Sequence, residues 1–173
     1  CAVCDGGFFR GRDAAVVGGG NTALEDALYL SGLCRQVTLI HRRDTFRGSK
    51  RLEDALRAAP NVVFRLDSVP EVIEGGSAVA AVTVRDVKTG QRDRLPVSAV
   101  FVAVGTLPEN GLLRGLVPLD EEGRVPAGAD GRTDIPGVFV AGDLRRKALY
   151  QIVTACADGA AAASAAAADL QTQ

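Results

Sequence analysis

The sequence predicts an α/β fold, a parallel sheet wound by helices with an antiparallel β-meander, followed by part of a second domain. Three observations predict it. Two apolar, β-branched runs, 14–17 and 36–40, flank a Gly-rich turn and a helical segment. Between 69 and 97 the texture changes to short strands separated by turn residues. From Gly105 to Gly131 the chain is rich in Gly and Pro with little periodicity, which marks a boundary near Gly105.

The elements follow in order. Ala14-Ala15-Val16-Val17 reads as a buried strand ended by Gly18-Gly19-Gly20. Asn21-Thr22 can cap a helix from Ala23 to Leu33. Gln36 to Ile40 is a second strand, and the crossover makes the two strands parallel neighbours. Ser49 to Ala59 is a helix ended by Pro60, and Val62-Val63-Phe64 a third strand. Val69 to Ile73, Ala78 to Val87 and Gln91 to Val97 form the meander, with turns at Gly75-Gly76 and Lys88-Thr89-Gly90. The apolar runs Ala99 to Val104 and Gly137 to Ala141 read as further buried strands. Leu149 to Leu170 is a long Ala-rich helix. The expected domains are 1–105 and 106–173.

Composition narrows the function classes. The 173 residues carry 20 Lys+Arg against 21 Asp+Glu, a net charge of −1, which gives no electrostatic reason for nucleic acid or an anionic membrane as partner. Four cysteines are too few for a disulfide scaffold, and one histidine rules out a His-rich metal site. The segment 155–170 is too short and too weakly apolar for a membrane span, and no signal peptide is visible, so the expected location is cytoplasmic.

Four motifs carry chemistry. Gly18-Gly19-Gly20-Asn21-Thr22-Ala23 has the form G-x-G-x-x-A between a strand and a helix. Gly18 permits the tight turn, Gly20 lets a pyrophosphate approach the backbone, and Ala23 is small enough for the helix to lie on the strand. The helix N-terminus then offers free N–H groups to phosphates. At the end of the second strand, where an acidic residue would hold a 2′-hydroxyl, stand His41, Arg42 and Arg43, with Arg47 four residues on. Guanidinium forks match a 2′-phosphate, so the coenzyme expected is NADP(H), with His41 covering the adenosine. Cys1-Ala2-Val3-Cys4 admits half a zinc site, a redox dithiol or chance. The isolation of Cys34 and Cys156, read as buried helical packing residues, favours the redox pair, with Asp5 beside it for protons. Finally, a strand ending in Gly142-Asp143 can present a carboxylate and an N–H to a sugar-like hydroxyl chain.

Together and in this order, these motifs resemble the bacterial low-molecular-weight thioredoxin reductases, and the wider class II pyridine nucleotide-disulfide oxidoreductases. The matching residues are 1–6, 16–25, 41–47, 101–105, 137–143 and 151–155, and the resemblance covers essentially the whole chain. It implies a Rossmann-like NADPH-binding domain with the C-terminal part of an FAD-binding domain, and two cofactors, NADPH and FAD. It implies a relay in which NADPH reduces FAD, FAD reduces the disulfide, and the dithiol reduces thioredoxin or a similar protein. Carried over by position, Cys4 would face the flavin, Cys1 would attack the substrate, and Asp5 would be the acid–base group. Gly18, Gly20, Asn21, Thr22, Ala23, Arg42, Arg43 and Arg47 would bind NADPH. Gly142 and Asp143 would contact the ribityl chain of FAD, with Gln151 and Ile152 near its ring. The pattern departs at Tyr150, where many relatives carry Arg. No second dinucleotide fingerprint precedes Cys1, so the sequence reads as the C-terminal part of a reductase cut at the Cys pair, and the resemblance implies a homodimer. Two other readings share these motifs: the flavoprotein arm of an alkyl hydroperoxide reductase, and an NADP(H)-binding module without turnover.

Overall fold

The computed structural model describes residues 1–171. The chain divides into two compact units, Cys1–Gly105 and Thr106–Gln173.

The first unit begins with a short helix, α1 (Ala2–Asp5), and a 3-10 turn (Gly6–Phe9). Strand β1 (Asp13–Val17), helix α2 (Asn21–Ser31) and strand β2 (Gln36–Ile40) make the expected crossover, with Val16 opposite Leu39. Helix α3 (Lys50–Ala58) leads to β3 (Val62–Arg65). The meander β4 (Ser68–Gly75), β5 (Val79–Asp86) and β6 (Arg92–Pro96) precedes β7 (Ala99–Val102), which returns beside β1 with Phe101 opposite Val16. The parallel sheet has the order β3-β2-β1-β7, and the meander forms a separate three-stranded antiparallel sheet.

Both faces of the parallel sheet are buried, which is why β1 and β2 are apolar almost throughout rather than alternating. One face packs Ala14, Val16, Val37, Leu39 and Phe101 against Ala23, Leu24, Ala27 and Leu30 of α2 and Leu56 of α3. The other packs Ala15, Val17 and Ile40 against Val82 and Val84 of the meander and Val97. Leu24, Leu30, Leu39 and Leu56 have no exposed surface, and burying each such side chain contributes about 1.5–3 kcal/mol.

The run 99–104 departs from expectation. Only its Ala99 and Phe101 side chains are buried; Val102 and Val104 are more than 60% exposed, because β7 lies at the sheet edge and turns one face to solvent. Cys34 is buried but follows the end of α2, and Cys156 is exposed on the long C-terminal helix, so neither matches the buried helical role expected for it.

The second unit has little regular structure before helix α4 (Ile152–Gln171). Val117, Val125 and Val140 form its core. The expected strand at 137–141 is an isolated bridge, Arg132 to Phe139. Among the described residues, the backbone near Gly131 and Thr133 bonds Val138 and Val140, and one neighbour on one side cannot make a ladder. Residues 172 and 173 of the expected second domain lie outside the described residues. Among the described residues no helix is long and apolar enough to cross a membrane.

Candidate functional site

A cleft of about 400 Å³ lies at the C-terminal ends of β1, β2 and β7, within the first unit. In an open parallel sheet this is where strand order reverses and where ligands bind. Its floor is Val17, Gly18, Gly19 and Ile40, and its rim carries His41, Arg42 and Arg47.

Space decides which residues can make this turn. A Cβ on Gly18 would lie 2.3 Å from the Ala103 carbonyl oxygen and 2.7 Å from the Ala23 Cβ, and its φ of +151° disfavours side chains. A Cβ on Gly19 would strike the His41 ring at 2.2 Å. At Gly20 it would meet nothing within 4 Å, so the backbone there faces open space. Gly20 is the N-cap of α2 and offers no side chain to its first turn. The N–H groups of Asn21, Thr22 and Ala23 have no intrahelical partner by position, and they carry the positive end of the helix dipole.

The loop that follows β2 is pinned over this turn. The amides of Arg47 and Gly48 donate to the Gly19 carbonyl at 2.8 and 3.2 Å, and the Ser49 amide donates to Asn21 Oδ1 at 2.7 Å. Asn21 is thus a brace between the loop and α2 through its oxygen. Gly48 is required at the crossing, because a Cβ would meet Leu24 Cδ1 at 2.4 Å. Arg42, Arg43 and Arg47 are exposed, and none has a carboxylate partner among the described residues. The meander arginines Arg85, Arg92 and Arg94, by contrast, are all paired with Glu71 or Glu74. Unpaired guanidiniums beside a Gly-rich helix N-terminus are the donor set a phosphorylated dinucleotide needs.

His41 is 7% exposed. Its ring stacks on Phe46 at 5.3 Å between centroids, and Nε2 lies 3.1 Å from the Thr45 carbonyl oxygen. Burial, with repulsion from Arg42, Arg43 and Arg47, holds its pKa below the ordinary value despite that contact. The ring therefore braces the arginine loop from beneath.

The apolar wall of the cleft, Val69, Pro70 and Ile73 from the meander and Val100, Val102 and Val104 from the β7 edge, was not among the expected site residues. The usable signal was the alternation within 99–104, hidden because every residue in that run is apolar.

Cys1 and Cys4 form a disulfide across α1, with Cα atoms 5.2 Å apart, and the Cys4 amide donates to Cys1 Sγ at 3.2 Å. Ala2 between them is buried and anchors α1, while the Asp5 side chain is 59% exposed. Neither cysteine lines the cleft. No group of His, Cys, Asp and Glu side chains suited to a metal ion occurs among the described residues.

In the second unit, Gly142 (φ +72°) opens a 3-10 turn, and the Asp143 carboxylate is 66% exposed with Lys147 Nζ at 3.6 Å. Ile152 begins α4 and is 85% exposed, with Val153 72% exposed beside it. An exposed carboxylate, a glycine turn and an apolar helix start together suit a polyhydroxyl chain attached to a flat ring. Gln151 lies immediately before α4, and its amide donates to Thr154 Oγ1 at 3.1 Å. Arg124, which sequence reasoning missed, is buried behind this segment.

A family model described as pyridine nucleotide-disulphide oxidoreductase matches residues 5–159. The chain is 46% identical over 163 residues to a thioredoxin reductase of Mycolicibacterium smegmatis, covering 94% of this chain and 52% of that protein. It is 42% identical over 164 residues to a bifunctional thioredoxin reductase/thioredoxin of Mycobacterium leprae, covering 94% of this chain and 36% of that protein. Among solved structures, a thioredoxin reductase from Streptococcus pyogenes matches with a TM-score of 0.91 and 43% identity, covering all of this chain and 57% of that one. The chain thus spans about half the length of most of the relatives it matches.

Proposed function

The chain belongs to the pyridine nucleotide-disulphide oxidoreductase family, and on that premise we propose that it is the NADPH-binding, dithiol-bearing part of a thioredoxin reductase-type flavoprotein. The observation that carries this reading is the pinning of a loop with three unpaired arginines onto the glycine turn that opens α2.

The coenzyme pyrophosphate would lie over Gly20 and accept from the first-turn N–H groups of α2. The 2′-phosphate would sit among Arg42, Arg43 and Arg47. Asn21 and Ala23 act from behind, one fixing the loop and the other letting α2 lie on β1. Thr22 is exposed on the first turn and can reach the phosphates. The apolar wall of the cleft excludes water from the bases.

Neither cysteine lines the cleft, which favours a relay through a second redox group over direct transfer from the nicotinamide. FAD, when bound, would supply that two-electron connection. Gly142 and Asp143 would hold its ribityl chain, and Gln151 and Ile152 would flank its ring. Two electrons and two protons open the Cys1–Cys4 bond to a dithiol, and Asp5 exchanges the proton at the thiol. Cys1 thiolate then attacks a substrate disulfide, releasing one substrate thiol. Cys4 attacks the mixed disulfide, freeing the second thiol and restoring the Cys1–Cys4 bond. The substrate proposed is an oxidised thioredoxin, a reading supported by the relative that joins a reductase to a thioredoxin in one protein.

The test uses the intact parent protein. Anaerobic NADPH should bleach a bound yellow flavin, and both Cys1→Ser and Cys4→Ser should keep that bleaching while losing thioredoxin reduction. A colourless protein, or full turnover in both variants, would refute the assignment.

A further inference from the structure

This inference rests on the flavin placement proposed above and concerns a residue outside it. Arg124 stands at the end of an acidic turn in the second unit, and its side chain is only 7% exposed. Its guanidinium makes three contacts. Nη1 donates to the backbone carbonyl of Asp143. Nη2 donates to Thr106 Oγ1 at 3.2 Å. The central carbon lies 3.9 Å from the centroid of the Tyr150 ring. The remaining Nε has no hydrogen-bond partner among the described residues, with Glu122 Oε2 at 3.6 Å. A planar fork is the one cationic group that can bond two acceptors and stack on an aromatic face together.

The two residues gripped are 143 and 150. Between them, after the 3-10 turn at Gly142–Leu144, the chain makes one isolated bridge, Arg145 to Val125, and no helix or strand until α4 begins at Ile152. Backbone hydrogen bonds tie 144–146 to Val125, but among the described residues none holds 147–150, so they do not by themselves set the spacing of Gly142-Asp143 from Gln151-Ile152. Side chains complete it. The Lys147 amide donates to the Tyr150 hydroxyl at 3.3 Å, fixing the far edge of the ring that Arg124 covers. We infer that Arg124 is a positioning residue for the flavin: by holding the Asp143 carbonyl and the Tyr150 ring at once, it sets the distance between the group that meets the hydroxyl chain and the groups that meet the ring.

The test compares Arg124→Met, Arg124→Lys, Tyr150→Leu and Tyr150→Phe in the flavin-bearing parent protein. The readouts are FAD affinity after reconstitution, the visible circular dichroism of bound flavin, and NADPH affinity. Arg124→Met and Tyr150→Leu should each weaken FAD roughly tenfold or more, the equivalent of one lost charge-assisted contact. Tyr150→Phe keeps the stacked ring and should change FAD affinity less than Tyr150→Leu. Arg124→Lys lacks the fork and should not restore the parent dichroism. The Arg124→Met/Tyr150→Leu pair should be less than additive, since both remove one contact. NADPH affinity should stay unchanged in all four.

Unchanged FAD affinity and dichroism in Arg124→Met, or strictly additive losses, would overturn the inference and leave the flavin site standing. If Arg124→Met does not fold, equal FAD affinity in Tyr150→Leu and Tyr150→Phe overturns it. An unsubstituted parent that binds no flavin overturns the flavin site and the inference together.

Discussion

The Arg47 amide donates a 2.8 Å hydrogen bond to the Gly19 carbonyl, so the loop after β2 and the turn after β1 are one rigid unit. Two segments some thirty residues apart in sequence thereby present glycine backbone and guanidinium charge to the same cleft.

The first prediction concerns coenzyme choice. Arg42→Ala and Arg43→Ala should each cost about 1.5–3 kcal/mol of NADPH binding, as lost charge-assisted hydrogen bonds do. NADH binding should change little, because it lacks the 2′-phosphate. Titration of both coenzymes against each variant measures the difference. Equal losses for the two coenzymes would remove the 2′-phosphate from this site.

The glycine turn separates folding from binding. Gly18→Ala places a methyl against the Ala103 carbonyl and the Ala23 Cβ, neither of which can swing aside. It should destabilise the first unit by roughly 1–3 kcal/mol, the cost of forcing atoms into filled space. Gly20→Ala meets open space and should stay within about 0.5 kcal/mol of the parent. It should nevertheless weaken NADPH, because the methyl occupies the phosphate path. Thermal unfolding and coenzyme titration on the same two variants decide the matter; parent-like NADPH affinity in Gly20→Ala moves the pyrophosphate elsewhere.

His41 makes the first unit sensitive to mild acid. Its pKa in the fold lies below the ordinary 6.5, chiefly through burial. The unfolded chain therefore binds the proton more readily, and stability must fall as pH drops from 6.5 toward the lowered value. Above 6.5 the effect vanishes. Across about pH 8 to about pH 5, His41→Phe should flatten the curve only below 6.5 and leave it unchanged above. The check is the melting temperature of parent and variant across that range, and an unchanged slope would place the titrating group elsewhere.

Asp158 on α4 acts in the same direction at lower pH. Its carboxylate accepts from Arg145 Nη2 at 2.6 Å and Lys147 Nζ at 2.8 Å, which hold its pKa at about 2 against an ordinary 3.8. The stability it contributes is full above 3.8 and is lost as pH falls from there through about 2. Asp158→Asn leaves two cations with little access to water and should cost roughly 3 kcal/mol or more, as removing one partner of a buried pair does. Acid titration of the second unit's unfolding should show the 3.8-to-2 component in the parent and not in the variant.

Much of this molecule was legible in the sequence. Short β-branched runs and punctuating glycines located β1 to β6 and three of the four helices, because local propensity and burial agree there. The Gly-rich turn was legible too through the Gly18–Ala23 approach, five residues apart, although Gly18 is equally dictated by the Ala103 carbonyl far along the chain. The run at 137–141 misled because an apolar pentapeptide states its burial and says nothing of the neighbours a ladder needs. Val102 and Val104 misled for a related reason: β7 is an edge strand, and edge position is not written in its four residues.

What the sequence determined by itself was the chemistry on offer: a Cys pair, a Gly-rich turn opening a helix and three arginines in a stated order. Only the tertiary structure decided that His41 is a buried brace, that the Arg47 loop locks onto Gly19, and that Arg124 grips Asp143 and Tyr150. Apart from the His41–Phe46 stack, which needs the loop to fold back on itself, those relationships join residues well separated along the chain through hydrogen bonds and stacking a few ångströms long. Such short-range forces act only after the core has brought their partners together, so no local pattern can announce them.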